Sequence, residues 1–164
     1  MLKVKKENPD IVFINGFIPH IVAMTKESKR LGLKNNTQLV ASIDMLDAAP
    51  LLQKEDLEGV IVASPSYLLK KNDPVIETWK KNFYQRYGRV PTYHDAYAYD
   101  MVKVILHAGN TLSFPAKQED WISAIRATKT TGITGPISFN ADGSSVTEMF
   151  LSEYRDGELT PLKN

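Results

Sequence analysis

The chain contains no cysteine. That excludes disulfides, thiol nucleophiles and thiolate-bound zinc. No apolar run approaches the roughly 20 residues that cross a bilayer as a helix. Charge of either sign is not in excess: 20 Lys and Arg stand against 19 Asp and Glu, a net of +1. A phosphate backbone or an anionic membrane therefore meets no bulk attractive field, and no nucleic-acid partner is expected. Disorder is disfavoured by the same low net charge and by two Trp, seven Tyr and six Phe. The first ten residues, MLKVKKENPD, carry positive charge without an apolar stretch behind it, so they do not read as an export signal. No internal repeat is present.

What remains has ordinary globular composition, 43% hydrophobic and 24% charged over 164 residues. Ile11 to Ile14 is an unbroken apolar run between Pro9-Asp10 and Asn15-Gly16. Such a run predicts a strand buried on both faces. From about Pro19 to Leu31 the spacing turns helical, with Ile21, Met24 and Ser28 on one stripe and Gly32 just past the end. Thr37 to Ser42 and Glu58 to Ser64 read as further strands, and between them Asp44 to Leu52 is mixed and loop-like with one helical turn. This alternation predicts a parallel sheet with right-handed crossovers.

Asn72-Asp73-Pro74 opens the next helix, in which Val75, Trp79 and Phe83 recur and which Gly88 ends. Thr92 with Asp95 forms a capping pair for a helix to about Ala108. Its apolar positions run nearly all round the cylinder, which predicts deep burial. A helix from about Gln118 to Thr128 faces Trp121, Ile122 and Ile125 inward. Thr130 to Pro136 is a Gly/Thr-rich, hinge-like stretch, followed by a short strand at Ile137–Phe139 and a turn at Asn140–Gly143. Val146 to Tyr154 and Glu158 to Leu162 flank Asp156-Gly157, a hairpin signal. The fold class expected is α/β: a three-layer parallel sheet flanked by helices, with a C-terminal antiparallel hairpin.

Catalytic patterns are scarce. His20, His94 and His107 have no helical i, i+3 or i+4 pairing, so no metal face is expected. His94-Asp95 reads as a helix first turn whose acid is a cap. Gly132 to Gly135 lacks a phosphate-loop lysine. Ser64 and Ser66 flank Pro65 with no histidine nearby in sequence. We therefore expect no enzyme, no catalytic residue, no metal and no cofactor. A small flavodoxin-like enzyme using Ser64 or His94 is the contrasting reading. Ligands of open α/β sheets sit beyond the carboxyl ends of the strands. That singles out Asn15, Gly16, Phe17 and Ile18 after strand one, Asp44 after strand two, and Ser66 after strand three. Gly16 allows close approach or positive φ, Phe17 offers an apolar face, and Asp44 accepts hydrogen bonds from an ammonium or hydroxyl. Each also has a plain structural role: turn glycine, loop aromatic, helix-capping acid.

PDIVFINGFIPHIVAMTKESKRLGLK, TQLVAS and EGVIVAS, then FYQRYGRVPTYHDAYAYDMVKVILHA and GITGPISFNADGS, together resemble the branched-chain amino-acid-type substrate-binding proteins of ABC transporters. The resemblance implies a type I periplasmic-binding-protein fold, of which this chain matches the C-terminal half; full members run to roughly double the length. It implies three parts: residues 1–89 in ligand-binding lobe two, 90–131 as closing helices of lobe one, and 132–164 as hinge strand and C-terminal hairpin. Phe17 or Ile18 stands where the family places an aromatic, and Asp44, with Ile43 beside it, where it places an acid. The implied function is binding an amino acid or small carboxylate between two lobes and presenting it to a membrane permease. A ligand-sensing receptor module of the same fold is the alternative. The implied location is the periplasm, or the cell exterior on a lipid anchor. A half-length chain is expected to leave helix faces uncovered along Ala96 to Ala108 and to form a homo-oligomer or swapped dimer.

Overall fold

The computed structural model describes residues 1–70 and 72–162. The chain forms two compact units, residues 1–64 with 149–164, and residues 65–148.

The first unit opens with a short helix α1 (Leu2–Glu7), closed by Asn8 in the left-handed region. Strand β1 (Ile11–Ile14) leads into α2 (Ile18–Arg30) and then β2 (Gln38–Ala41). Short helices α3 (Met45–Ala48) and α4 (Lys54–Leu57) precede β3 (Ile61–Pro65). β1, β2 and β3 lie side by side and parallel, with Ile14 opposite Ala41 and Ala41 opposite Val62. The expected alternation is thus realised. Two helices were not anticipated. α1 has no buried residue to mark it by periodicity. α4 is set by a capping box in which the Gln53 N–H donates to Asp56 at 3.1 Å.

Strand β1 departs from expectation in its burial. Ile14 is buried in a cluster with Ile21, Leu39, Met45 and Val62, but Ile11 and Phe13 are each 63% exposed. Strand side chains alternate between faces. Register puts Ile11 and Phe13 on the face of Gln38 and Val40, which stay half-buried. The apolar run therefore has one core face and one largely uncovered face. In α2 the buried stripe is Ile21, Thr25 and Ser28; the Ser28 hydroxyl donates to the Met24 carbonyl at 2.7 Å. Gly32 follows at φ +70°, as a residue past a helix end should.

The second unit holds α5 (Pro74–Tyr87), α6 (Tyr93–Gly109) and α7 (Gln118–Ala127), then β4 (Thr130–Thr131), β5 (Pro136–Phe139) and β6 (Ser145–Val146). Asp73 caps α5, accepting from the N–H groups of Val75 at 2.9 Å and Ile76 at 3.3 Å. The Thr92–Asp95 box caps α6. α6 is not deeply buried, contrary to its composition. Tyr93, Ala96, Asp100, Val104 and Ala108 form one buried stripe, while Tyr99, Met101, Val102, Ile105 and Leu106 are exposed. Its continuous apolar surface has one partner face, not several. Ile122 of α7 is likewise exposed, whereas Trp121 packs 3.1 Å from the place a Cβ on Gly109 would occupy. β4, β5 and β6 make a small antiparallel sheet.

The last strands, β7 (Met149–Arg155) and β8 (Glu158–Pro161), return to the first unit. They form a hairpin through Asp156 (φ +52°) and Gly157 (φ +81°), the positive dihedrals of a type I′ turn. The sheet order is β1-β2-β3-β7-β8. The hairpin therefore extends the parallel strands into one mixed sheet. The single strand expected from Val146 to Tyr154 is broken at 147–148, with each half paired in a different sheet.

Candidate functional site at the strand ends

The carboxyl ends of β1 and β2 are pinned together by the Ser42 N–H, which donates to the Ile14 carbonyl at 2.9 Å. Immediately beyond, Asn15 is exposed and Gly16 half-buried. Gly16 is not required for a positive φ. Its need is space, because a Cβ there would stand 3.2 Å from the Cβ of His20. Phe17 occupies the N-cap position of α2 in extended backbone (ψ 161°), and its carbonyl accepts from the N–H groups of His20 and Ile21. This backbone leaves the Phe17 ring 78% exposed. His20 lies beside it, with ring centroids 6.4 Å apart. Ile18 points the other way and packs against the buried core. It supports the loop, whereas Asn15 and Phe17 present their side chains to solvent.

After β2, Asp44 takes the N-cap position of α3, where its carbonyl accepts from the N–H groups of Asp47 and Ala48. Its carboxylate makes no capping hydrogen bond, so the structural role expected of it falls to its backbone. The Ser42 hydroxyl between these two ends is buried without a hydrogen-bond partner. Sequence reasoning weighed His20 only for a metal face and set Ser42 at the strand end without a role. The signals were slight: His20 is one turn on from Gly16, and Ser42 directly follows β2.

Ser66 belongs to the second unit. It begins a 3-10 turn over Ser66–Leu69. Its N–H donates to the Glu148 carbonyl at 3.2 Å. The residue is 3% exposed, and its hydroxyl has no partner. Gly135, at φ +115°, faces it; a Cβ there would lie 3.5 Å from the Ser66 Oγ. Asp100 of α6 grips the same turn. It accepts from the N–H groups of Ile133 and Thr134 and from the Thr134 hydroxyl, each at 2.7 Å.

Ser64 is fully buried and shares a hydrogen bond with Ser152 at 2.7 Å, joining β3 to β7. His94 stacks on Tyr93 with centroids 3.9 Å apart. Among the described residues no three His, Cys, Asp or Glu side chains gather to hold a metal. A concavity of about 1180 Å³ runs between α5 and α6 over Trp79, Phe83, Tyr99, Val102 and Leu106. That exceeds the size of an ordinary small-molecule pocket and reads as helix surface left uncovered.

The model of one family, the periplasmic binding proteins, matches residues 1–158. The chain belongs to the periplasmic binding protein family. Its fold is the type I fold of that family. A leucine-binding protein of Thermotoga maritima superposes with a TM-score of 0.78 at 22% identity, over 99% of this chain and 46% of that one. A solute-binding protein of an ABC transporter from R. palustris, solved with benzoate, gives 0.77 at 16% identity over 98% and 44%. A branched-chain amino acid transporter substrate-binding protein of Streptococcus pneumoniae, solved with isoleucine, gives 0.70 at 15% over 92% and 42%. The chain spans less than half the length of these structures. No curated protein matches the sequence. No helix among the described residues is long and apolar enough to cross a membrane.

Proposed function

We propose that this chain is one half of a two-lobed solute-binding component of an ABC uptake system, holding an amino acid or similar small metabolite without transforming it. The observation that carries this reading is the exposed Phe17 ring at the carboxyl end of β1, next to the β2 end that bears Asp44, in a periplasmic-binding-protein fold. An exposed aromatic has no packing role to explain it. It offers an apolar ligand a face, and Asp44 offers an ammonium a partner. Asn15 and Gly16 complete the set, with Ile18 as a support; Ser66, in the second unit, is a ligand contact proposed separately. Residues 1–89 act as lobe two, 90–131 as closing helices of lobe one and 132–164 as hinge strand and hairpin. The lobes close on the ligand, and the closed form docks on a membrane permease outside the cytoplasm.

The test is a thermal-shift and calorimetric screen with leucine, isoleucine and benzoate, on this chain and on a version carrying a complete partner lobe. A ligand that binds only the folded form raises the melting temperature by mass action. The longer version responds, and Phe17→Ala abolishes most of the response. An unchanged response in Phe17→Ala refutes the placement of the site. The uncovered apolar faces of β1 and α6 make this chain by itself a homo-oligomer or swapped dimer. Light scattering that finds a monomer at micromolar concentration refutes that part.

A further inference from the structure

The sequence contains one Asn-Gly step, Asn15-Gly16, and the fold sets it at the rim of the strand-end site. Asn15 is exposed. The β1–β2 ladder stops just before it, its last rung being the Ser42 N–H to the Ile14 carbonyl. Among the described residues neither the Asn15 side chain nor the Gly16 N–H holds a hydrogen bond. A peptide nitrogen followed by no Cβ meets the least hindrance when it turns on the preceding side chain. No other asparagine precedes a glycine, and several are further disfavoured. Asn8 precedes Pro9, which has no N–H; Asn110 precedes β-branched Thr111; and the Asn140 side chain donates to the Ser144 hydroxyl at 3.0 Å.

We infer that Asn15-Gly16 is a spontaneous modification site, at which the folded protein converts Asn15 to aspartate and isoaspartate. The Gly16 nitrogen gives its proton to solvent base and attacks the Asn15 Cγ. A new C–N bond forms, the bond to the side-chain nitrogen breaks, and ammonia leaves with a proton from water. Water then opens the cyclic imide at either carbonyl. One opening gives aspartate; the other gives isoaspartate, with the main chain rerouted through the Cβ. No electrons are exchanged, and water is the sole co-reactant. Both products add a carboxylate to the rim that carries Asp44. Isoaspartate also lengthens the chain between β1 and Phe17, which displaces the aromatic ring. A site that takes an apolar side chain at Phe17 therefore weakens with the age of the protein, through the displaced ring and the charge added beside an apolar face. The chemistry stands alone; only this last effect rests on the proposed ligand site.

The test incubates the whole chain at mildly alkaline pH and follows the tryptic peptide Glu7–Lys26 by mass spectrometry, with enzymatic methylation to report isoaspartate. We expect the peptide to exchange its amide nitrogen for oxygen progressively, to accept methyl groups, and to do both faster as pH rises. Asn15→Gln, whose longer side chain would have to close a larger ring, keeps its mass. If the peptide within the folded protein keeps its mass while a synthetic Glu7–Lys26 peptide converts alongside it, the inference is overturned. Leucine is the binding probe, applied to fresh and aged samples of the version that carries a complete partner lobe. Its thermal shift should fall in step with the converted fraction, and Asn15→Asp should reproduce the part due to charge. Conversion with an unchanged leucine response overturns the effect on the site. Conversion with no response even in fresh protein upholds the modification and counts against the ligand reading.

Discussion

Asp100 offers the sharpest test of how the second unit holds together. Its side chain is nearly inaccessible, 3% exposed, and accepts three hydrogen bonds of 2.7 Å, from the N–H groups of Ile133 and Thr134 and the Thr134 hydroxyl. Asp100→Ala removes the acceptor and leaves all three donors, in residues that are themselves buried. A buried polar group stranded in this way costs about 1–3 kcal/mol. Release of the buried carboxylate and entry of water offset part of the sum, and the net loss is about 3–5 kcal/mol. Against a typical total of about 5–15 kcal/mol, that is a large fraction. Gly132 faces the same carboxylate so closely that any Cβ would overlap it. Gly132→Ala is therefore expected to cost a comparable amount by pushing the turn off Asp100, and the double variant to cost less than the two singles together. Urea unfolding followed by circular dichroism reads the change as a shift of midpoint at constant slope. A loss below about 1 kcal/mol in Asp100→Ala, or strict additivity with Gly132→Ala, would refute the clamp.

Three further outcomes follow from individual contacts. Arg89 donates to both oxygens of Asp95, at 2.7 and 2.8 Å; the guanidinium first, then the Thr92 N–H and hydroxyl, hold that carboxyl well below the usual range. Its folded pKa is the lower one, so its contribution is complete above the unfolded value of about 4 and fades as pH falls below it. The stability difference between wild type and Arg89→Ala, measured by urea midpoint, should shrink in that range. Burial pushes the Tyr154 hydroxyl up, with Asp47 adding to the effect. Stability is then lost as pH rises past the unfolded tyrosine value of about 10, and Tyr154→Phe should flatten the alkaline limb of a melting-temperature profile. Gly157 sits at φ +81° with the Lys54 side chain against it, so Gly157→Ala should cost about 1–2 kcal/mol in a urea titration.

Some features of this molecule are written within a few residues of one another. The parallel strands at Ile11, Gln38 and Ile61 follow short apolar runs between breakers. Asp73 and Thr92 cap the helices they precede, with Asp95 completing the box from the first turn of α6, and Gly32 and Asp156-Gly157 turn the chain where left-handed dihedrals are needed. Rotamers, capping bonds and φ preferences are local, so the sequence alone determined these, along with Phe17 and Asp44 at the strand ends. Burial is different, because it depends on what lies opposite. Composition made β1 and α6 look enclosed, yet Phe13, Met101 and Leu106 are exposed, since each element meets a partner on one face only. The pairing of β7 with β3, the Asp100 grip on the turn at Gly132, and the contact that makes Gly16 a glycine join residues through packing. Only the tertiary structure decided them, because hydrogen-bond partners and steric neighbours brought together by folding leave no periodic trace along the chain.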